Sequence, residues 1–294
     1  MTRGIQFPMF APQTEWVMPD GLKDLTGYKE IAIDLETNDP GLITSGSGSV
    51  VGRGHIAGIA VAVEGWSGYY PIQHENGGNI DKKLVFGWLQ EILNQENTTF
   101  IFHNAMYDVC WLRAAGLIIK GKIVDTMIAA SLVNENRFKF DLNSLAKEYV
   151  GIGKDENVLR IAAKDFGVDP KAEMWRMPAM YVGEYAERDA EVTLKLWQRL
   201  SIELHNEELM DIFNLETKLF PCLVDMRFKG VRVDLEHAAK LKKNLIIRED
   251  KILKNIKDLV GFDIEINAAR SIAKGFDKLK LPYDRTEKSN EPSF

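Results

Sequence analysis

Two carboxylates follow a short apolar stretch near the beginning of the chain. Asp34 and Glu36 are separated by one residue and come directly after the run 31–33, Ile-Ala-Ile, which predicts a buried strand. Residues i and i+2 of a strand point to the same face, so we expect the two carboxylates side by side at the end of this strand. Like charges held this close call for a cation between them, and oxygen ligands suit a hard ion such as Mg²⁺ or Mn²⁺.

This pair is weak evidence on its own. The chain contains 43 Asp and Glu among 294 residues, so acids separated by one residue also arise by chance. In the alternative interpretation, one carboxylate faces solvent beyond the strand and the pair has no function. Acids elsewhere in the chain decide between the two interpretations.

A second group of polar residues follows a predicted short strand over residues 98–102. Asn104 is predicted to cap a helix, and Asp108 then lies about one turn past that cap, near the end of the strand. A helix N-terminus at a strand end is also a natural phosphate site. In the alternative, Asn104 is only a cap and Asp108 only a first-turn acid that the helix dipole favours.

A third group lies on a long helix predicted for residues 180–204. Tyr185 and Asp189 are four residues apart and therefore share one helix face. Asp189 falls on the apolar side with Val182 and Ala186, where a carboxylate needs a partner. The alternative is that Tyr185 is a core residue and Asp189 one of several surface acids.

Together these groups place four acids and a tyrosine in three segments of the chain. Two-metal phosphoryl transfer needs such a set, because carboxylates must balance four positive charges and hold two ions about 3.5–4 Å apart. One ion activates a water molecule and the other stabilises the departing 3′ oxygen.

The three segments resemble, in order, the three motifs of DEDDy 3′–5′ exonucleases, and most closely the proofreading domain of family A DNA polymerases. The matching stretches are Asp34-Leu35-Glu36, Asn104 through Asp108, and Tyr185 through Asp189. The resemblance covers roughly residues 25–294, with a segment at 216–234 that looks like the joint between exonuclease and polymerase and an end that falls within the thumb. It implies a chain without palm and fingers.

The resemblance implies a role for each acid at two divalent ions, Mg²⁺ or Mn²⁺. Asp34, Glu36 and Asp189 would bind the first ion, and Asp34 would bridge to the second. Asp108 would hold the second ion through water. These roles come from the family and not from the spacing of the residues.

The resemblance also implies roles around the substrate. Tyr185 and Glu36 would orient the attacking water. Thr37 and Asn104 would contact the terminal nucleotide. The substrate would be a single-stranded or frayed DNA 3′ end.

The predicted elements agree with an α/β fold. Strands are expected over residues 29–35, 55–64 and 69–72 as an antiparallel meander, after an irregular lead-in over residues 1–28. The resemblance implies a ribonuclease H-like mixed sheet flanked by helices over residues 1–204. Long amphipathic helices indicate a helical extension over residues 205–294, resembling a pre-thumb and partial thumb. Residues 38–54 and 151–178 are predicted as mobile loops, the second with short helices.

Composition narrows the class of protein. The net charge of −6 argues against a high-affinity DNA-binding module and agrees with an enzyme that handles a few nucleotides at an acidic metal site. The two Cys and five His lack zinc-site spacing. No apolar run is long enough to span a membrane, and no signal peptide is evident, so we expect a cytoplasmic protein, in the host cytoplasm if phage-encoded.

Three functions are consistent with the sequence. The first is a metal-dependent 3′–5′ exonuclease acting on DNA, the proofreading part of a phage-like family A polymerase. The second is a free-standing ribonuclease D-like RNA exonuclease. The third is a catalytically silent scaffold that docks a polymerase. Even in an active protein, a separate polymerase chain is a possible partner for residues 206–294.

Overall fold

A five-stranded mixed sheet forms the centre of the fold in the computed structural model, which describes residues 13–153 and 156–294. The sheet has the order β3-β2-β1-β4-β5, with β1–β3 antiparallel and β4 and β5 parallel to β1. The strands are β1 (Glu30–Asn38), β2 (His55–Val63), β3 (Trp66–Pro71), β4 (Thr99–Phe102) and β5 (Lys122–Asp125). The mixed sheet and the antiparallel meander confirm those two predictions. The first twelve residues of the predicted lead-in lie outside the described residues.

Strand β1 is longer than predicted, and this corrects the placement of the acid pair. It keeps its antiparallel pairing with β2 as far as Asn38, with a shift of register between Glu36 and Thr37. Asp34 and Glu36 therefore lie within the strand and not at its end. The backbone pairing with β2 overrides the polar side chains that predicted a strand end at Leu35.

Eleven helices are described, and all but the last two belong to the part of the chain before residue 230. They are α1 (Leu42–Ser45), α2 (Gly48–Val51), α3 (Lys82–Leu93), α4 (Ala105–Ala114), α5 (Thr126–Val133), α6 (Leu142–Tyr149), α7 (Asn157–Phe166), α8 (Gly183–Asn206), α9 (Met210–Lys229), α10 (Leu235–Val260) and α11 (Ala269–Leu279). The predicted loop at 38–54 contains α1 and α2, and 151–178 contains α7 and a short 3₁₀ turn.

Alternation along the strands gives the sheet two covered faces. On one face, Ala32, Ala60 and Tyr69 join a core with α5, α6 and α8. On the other, Ile31, Ile33 and other residues pack with α3 and α4. The even spacing along β1 places Asp34 and Glu36 on the same face as Ala32, the α8 face.

The chain forms two compact units, residues 1–229 and 230–294. The first unit extends beyond residue 204, where the sequence predicted a division, because α9 buries Phe213, Phe220 and Val224 in its cores. The second unit contains α10, α11 and the short hairpin β6 (Asp284–Arg285) and β7 (Pro292–Ser293). None of the described helices is long and apolar enough to cross a membrane.

Candidate active site

The first acid pair faces the smallest residues of the neighbouring strand. Across the β1–β2 ladder, Asp34 is paired with Ala60 and Glu36 with Gly58. Paired residues of antiparallel strands project to the same face, so the two carboxylates stand beside Ala60 and Gly58 on one face of the sheet. Both acids are half-buried.

Asp108 approaches the pair from α4. Its Oδ1 accepts a hydrogen bond of 3.1 Å from the backbone N–H of Leu35, the residue between the two acids. Asp108 is buried, and burial, followed by the charge of Asp34, raises the pKa of its carboxyl well above the usual range. The structure thus brings the first and second motifs together.

Tyr185 and Asp189 approach from α8. The Tyr185 hydroxyl is hydrogen-bonded to Asp189, which is buried. Burial raises the pKa of Tyr185, with further contributions from the charges of Asp189, Glu36 and Asp34. The phenol therefore keeps its proton at neutral pH, and the third motif faces the first.

These acids fit a hard divalent cation. Their donors are oxygen atoms only, as Mg²⁺ and Mn²⁺ prefer. The pKa of Asp108 is raised first by burial and then by the charge of Asp34, and a cation would relieve this second effect. Among residues 13–153 and 156–294, no three His, Cys, Asp or Glu side chains form a ready-made metal site.

The role of Asn104 as a cap is a correction to the sequence analysis. Asn104 holds the N-cap position of α4 in a left-handed conformation, with φ of 63°, and its side chain makes no capping hydrogen bond. Asp125, at the end of β5, takes over this function. Its carboxylate accepts hydrogen bonds from the backbone N–H groups of Asn104, Ala105 and Met127 at 2.8–3.0 Å. The Asn104 side chain is thereby left exposed at the surface.

Replacing Asp125 by Ala is expected to lower the free energy of unfolding by about 2–4 kcal/mol, because buried backbone N–H groups lose their acceptor. The exposed helix cap Asp141, which accepts a hydrogen bond from the N–H of Ser144, gives a matched control, and Asp141→Ala should cost about 1 kcal/mol. Urea unfolding measures both variants. Equal losses would contradict the role of Asp125 as a buried anchor of α4.

Thr37 belongs to a small hydroxyl cluster at the edge of the site. Its Oγ1 lies 2.5 Å from the hydroxyl of Tyr107, which also donates to Asp39 at 3.4 Å. Burial raises the pKa of Tyr107 to about 12, so this phenol remains protonated. Tyr107 lies within the second motif, but no role for it follows from the sequence.

A cleft of about 780 Å³ opens beside this cluster. Thr37 and Tyr107 form one wall, and Trp175 and Arg176 form part of another. Arg176 is buried and paired with Glu75 and Glu173. The cleft adjoins the acids through Thr37 and is large enough for a nucleotide strand end.

A buried tyrosine and histidine lie behind the acids, and the sequence analysis missed both. Tyr69 donates its hydroxyl hydrogen to Nε2 of His74 at 2.6 Å, because Nδ1 of His74 lies 2.9 Å from the carbonyl oxygen of Met177 and donates to it. Burial lowers the pKa of His74 from 6.5 to about 4, so the ring is neutral at pH 7. Only the register of β1, β2 and β3 reveals the closeness of Tyr69 to the acids.

The depressed pKa of His74 predicts an acid-sensitive fold. The unfolded chain binds the proton below about pH 6.5 and the folded chain only below about pH 4, so stability falls by about 3 kcal/mol as pH drops through this window. His74→Asn lacks the titrating ring. The free energy of unfolding of the wild type should therefore fall, relative to that of His74→Asn, as pH drops from 6.5 to 4. Urea unfolding at several pH values measures the difference, and a constant gap would contradict the assignment.

Comparison with protein families gives a match over most of the first unit. The profile of a family described as 3′–5′ exonuclease matches residues 11–205. A DNA-directed DNA polymerase of Pseudomonas phage M6 is 34% identical over 271 residues, covering 89% of this chain and 40% of that protein. DNA polymerase DpoZ of Salmonella phage PMBT28 is 30% identical over 263 residues, covering 87% and 40%. The chain spans about two fifths of the length of these relatives.

Solved structures give the same fold. The POL domain of Pol1 from M. smegmatis, in complex with DNA primer-template and dNTP, matches with a TM-score of 0.63 at 16% identity, over 92% of this chain and 41% of that one. Brucella melitensis NrnC with bound Mg²⁺ matches with a TM-score of 0.51 at 19% identity, over 72% of this chain and 92% of that one. At these identities the likeness is one of fold.

Proposed function

This chain belongs to the 3′–5′ exonuclease family of family A DNA polymerases, and we propose that it hydrolyses the terminal phosphodiester of DNA 3′ ends at the site of Asp34, Glu36, Asp108 and Asp189. The observation that carries the proposal is the approach of three separate segments to one point. Asp108 accepts a hydrogen bond from the backbone N–H of Leu35, the residue after Asp34. The charges of Asp34 and Glu36 contribute to the raised pKa of Tyr185.

Asp34, Glu36 and Asp189 would hold one divalent ion, and Asp34 and Asp108 the second, either Mg²⁺ or Mn²⁺. When bound, such ions stabilise charge on the phosphate and make water acidic enough to attack it near neutral pH.

The protein's own groups position the reactants. Tyr185 stays protonated and donates its hydroxyl hydrogen to Asp189, so its oxygen accepts a hydrogen bond from the attacking water, while Glu36 accepts the second one from the same water. Thr37, which lines the cleft beside Tyr107, and the exposed Asn104 contact the terminal nucleotide. These contacts align water, phosphate and leaving oxygen, which lowers the entropic part of the barrier.

The proposal is tested with a 5′-labelled single-stranded DNA oligonucleotide and either Mg²⁺ or Mn²⁺. We expect a ladder of products that shorten from the 3′ end, and none with EDTA. A parallel RNA strand tests the second candidate, an RNA exonuclease; NrnC, whose structure with bound pGG has a similar fold, is the reason to include it. Preferred shortening of RNA would support that candidate, and intact DNA and RNA with either metal would contradict both.

We further propose that the chain removes mispaired nucleotides for a family A polymerase in the cytoplasm of a phage-infected host. The phage polymerases it resembles support this context. A strand end must leave its duplex to enter the cleft, and a mismatched end costs less to unpair. A primer with a mismatched 3′ end should be shortened about tenfold faster than a matched one in a primer-extension gel, and equal rates would contradict a proofreading role.

A separate polymerase chain is the partner we propose for residues 206–294. Within the second unit, α10 exposes an apolar stripe with spacings of four and seven residues, which lie on one helix face: Leu241, Leu245, Ile252 and Leu259. The double substitution Leu245→Lys with Ile252→Lys should abolish co-elution with a family A polymerase module and leave hydrolysis of single-stranded DNA unchanged. Unchanged co-elution would contradict docking through this stripe.

A further inference from the structure

Tyr69 lies on the same face of the sheet as the acid pair. It is paired with Ala60 across β2 and β3, and Ala60 is paired in turn with Asp34 across β1 and β2. Cross-strand partners share a face. The fully buried ring of Tyr69 is therefore in the same row as Asp34.

Gly58 shows where the Tyr69 hydroxyl lies. A Cβ atom on Gly58 would be 2.0 Å from the hydroxyl oxygen of Tyr69 and 2.2 Å from Cζ, so the phenol occupies the side-chain space of Gly58. Gly58 is the register partner of Glu36. The end of the Tyr69 ring therefore takes the cross-strand position beside the Glu36 side chain.

Two hydrogen bonds fix Tyr69 in this place. Its hydroxyl donates to His74, which is anchored on the carbonyl of Met177. Its backbone N–H donates to Oε1 of Glu187 at 2.9 Å, and the same oxygen accepts a hydrogen bond of 2.8 Å from the indole of Trp16. Glu187 lies between Tyr185 and Asp189 on α8, so Tyr69 is joined to the third motif as well as to the first.

We infer that Tyr69 is a positioning residue, which acts as a wall that keeps the Glu36 carboxylate turned toward the reacting phosphate. This inference rests on the proposed function. The hydroxyl of Tyr69 donates to His74, and this hydrogen bond holds the ring in place beside Glu36. The nearness is also seen in the pKa of Tyr69, which burial and then the charges of Glu36 and Asp34 raise well above 10.

Tyr69→Phe tests this role with Tyr70→Phe as the matched control. Tyr70 is the next residue and is also buried, but it belongs to the core on the opposite face and its hydroxyl contacts Lys23 and Gly21. Without the hydroxyl, the ring at position 69 loses its hydrogen bond to His74. The ring is then no longer held in its place beside the Glu36 side chain. We expect kcat to fall about 10- to 100-fold with KM for DNA within about twofold, whereas Tyr70→Phe should leave kcat unchanged. Gly58→Ala, which pushes the ring away, should repeat the kcat loss.

A second readout does not depend on turnover. Electron paramagnetic resonance of free Mn²⁺ should show weaker Mn²⁺ binding by Tyr69→Phe than by the wild type and Tyr70→Phe, with folding checked by circular dichroism. In single-turnover assays, Tyr69→Phe should lower the cleavage rate by a smaller factor in a Glu36→Asp background than in the wild type. The reason is that both changes act through one carboxylate.

If the wild type is active and the two variants Tyr69→Phe and Tyr70→Phe have the same kcat and the same Mn²⁺ affinity, the inference is overturned. The proposed function then still stands. Full additivity with Glu36→Asp would also overturn the inference. An inactive wild type would instead remove the proposed function, and the Mn²⁺ measurement would still decide whether Tyr69 positions Glu36.

Discussion

Asp34→Asn is expected to lower the rate of 3′–5′ hydrolysis at least about 10³-fold. The charge of Asp34 contributes to the raised pKa values of Asp108, Tyr185 and Tyr69. Asp34 is also the residue proposed to contact both cations. Loss of a metal ligand removes several kcal/mol of stabilisation of charge in the transition state, and about 4 kcal/mol corresponds to a factor of 10³. Single-turnover cleavage of labelled DNA measures the rate.

Glu30→Gln is the matched control for this variant. Glu30 is on the same strand and accepts a hydrogen bond from the indole of Trp197, which a Gln carbonyl oxygen also accepts. This variant should keep the wild-type rate. A rate for Asp34→Asn within tenfold of Glu30→Gln would contradict the assignment of Asp34 as a metal ligand.

Asp108→Asn is expected to lower the rate about 10²–10³-fold and, at the same time, to raise the stability of the metal-free protein. The pKa of Asp108 is raised by burial and by Asp34. The contribution of Asp108 to the free energy of unfolding is therefore complete below pH 3.8, the usual pKa of the group. It is lost as pH rises through the raised pKa of Asp108 in the folded protein. An Asn at this position has no charge to desolvate, and its oxygen can still accept the hydrogen bond from Leu35.

Thermal unfolding in EDTA measures this second effect. At pH 7 the Tm of Asp108→Asn should lie above that of the wild type, and the difference should shrink as pH falls toward 4. Added Mn²⁺ should raise the Tm of the wild type more than that of the variant. A lower Tm for Asp108→Asn in EDTA at pH 7 would show that the carboxylate is not under electrostatic strain.

The regular side-chain spacings of strands and helices explain how much of the site could be predicted from the sequence. A spacing of two on a strand placed Asp34 beside Glu36, and a spacing of four on a helix placed Tyr185 beside Asp189. Both spacings are local properties of one element. The antiparallel meander of β1–β3 followed in the same way from the alternation along β2, whereas the mixed sheet was expected from the resemblance to the family.

Contacts between distant segments could not be predicted in this way. Asp125 caps α4 from 20 residues further along the chain, while a local rule points to Asn104. Tyr69 reaches Glu36 only through the register of three strands and the missing side chain of Gly58. The length of β1 depends on its pairing with β2, which continues through Asn38 although the sequence there is polar.

The most direct test of the account is mass spectrometry of the products released from single-stranded DNA in ¹⁸O-labelled water with Mn²⁺. Hydrolysis of the terminal phosphodiester at the acid site predicts nucleoside 5′-monophosphates, released in order from the 3′ end, each with one ¹⁸O atom on its phosphate. Nucleoside 3′-monophosphates, release from the 5′ end, or phosphates without the label would contradict it.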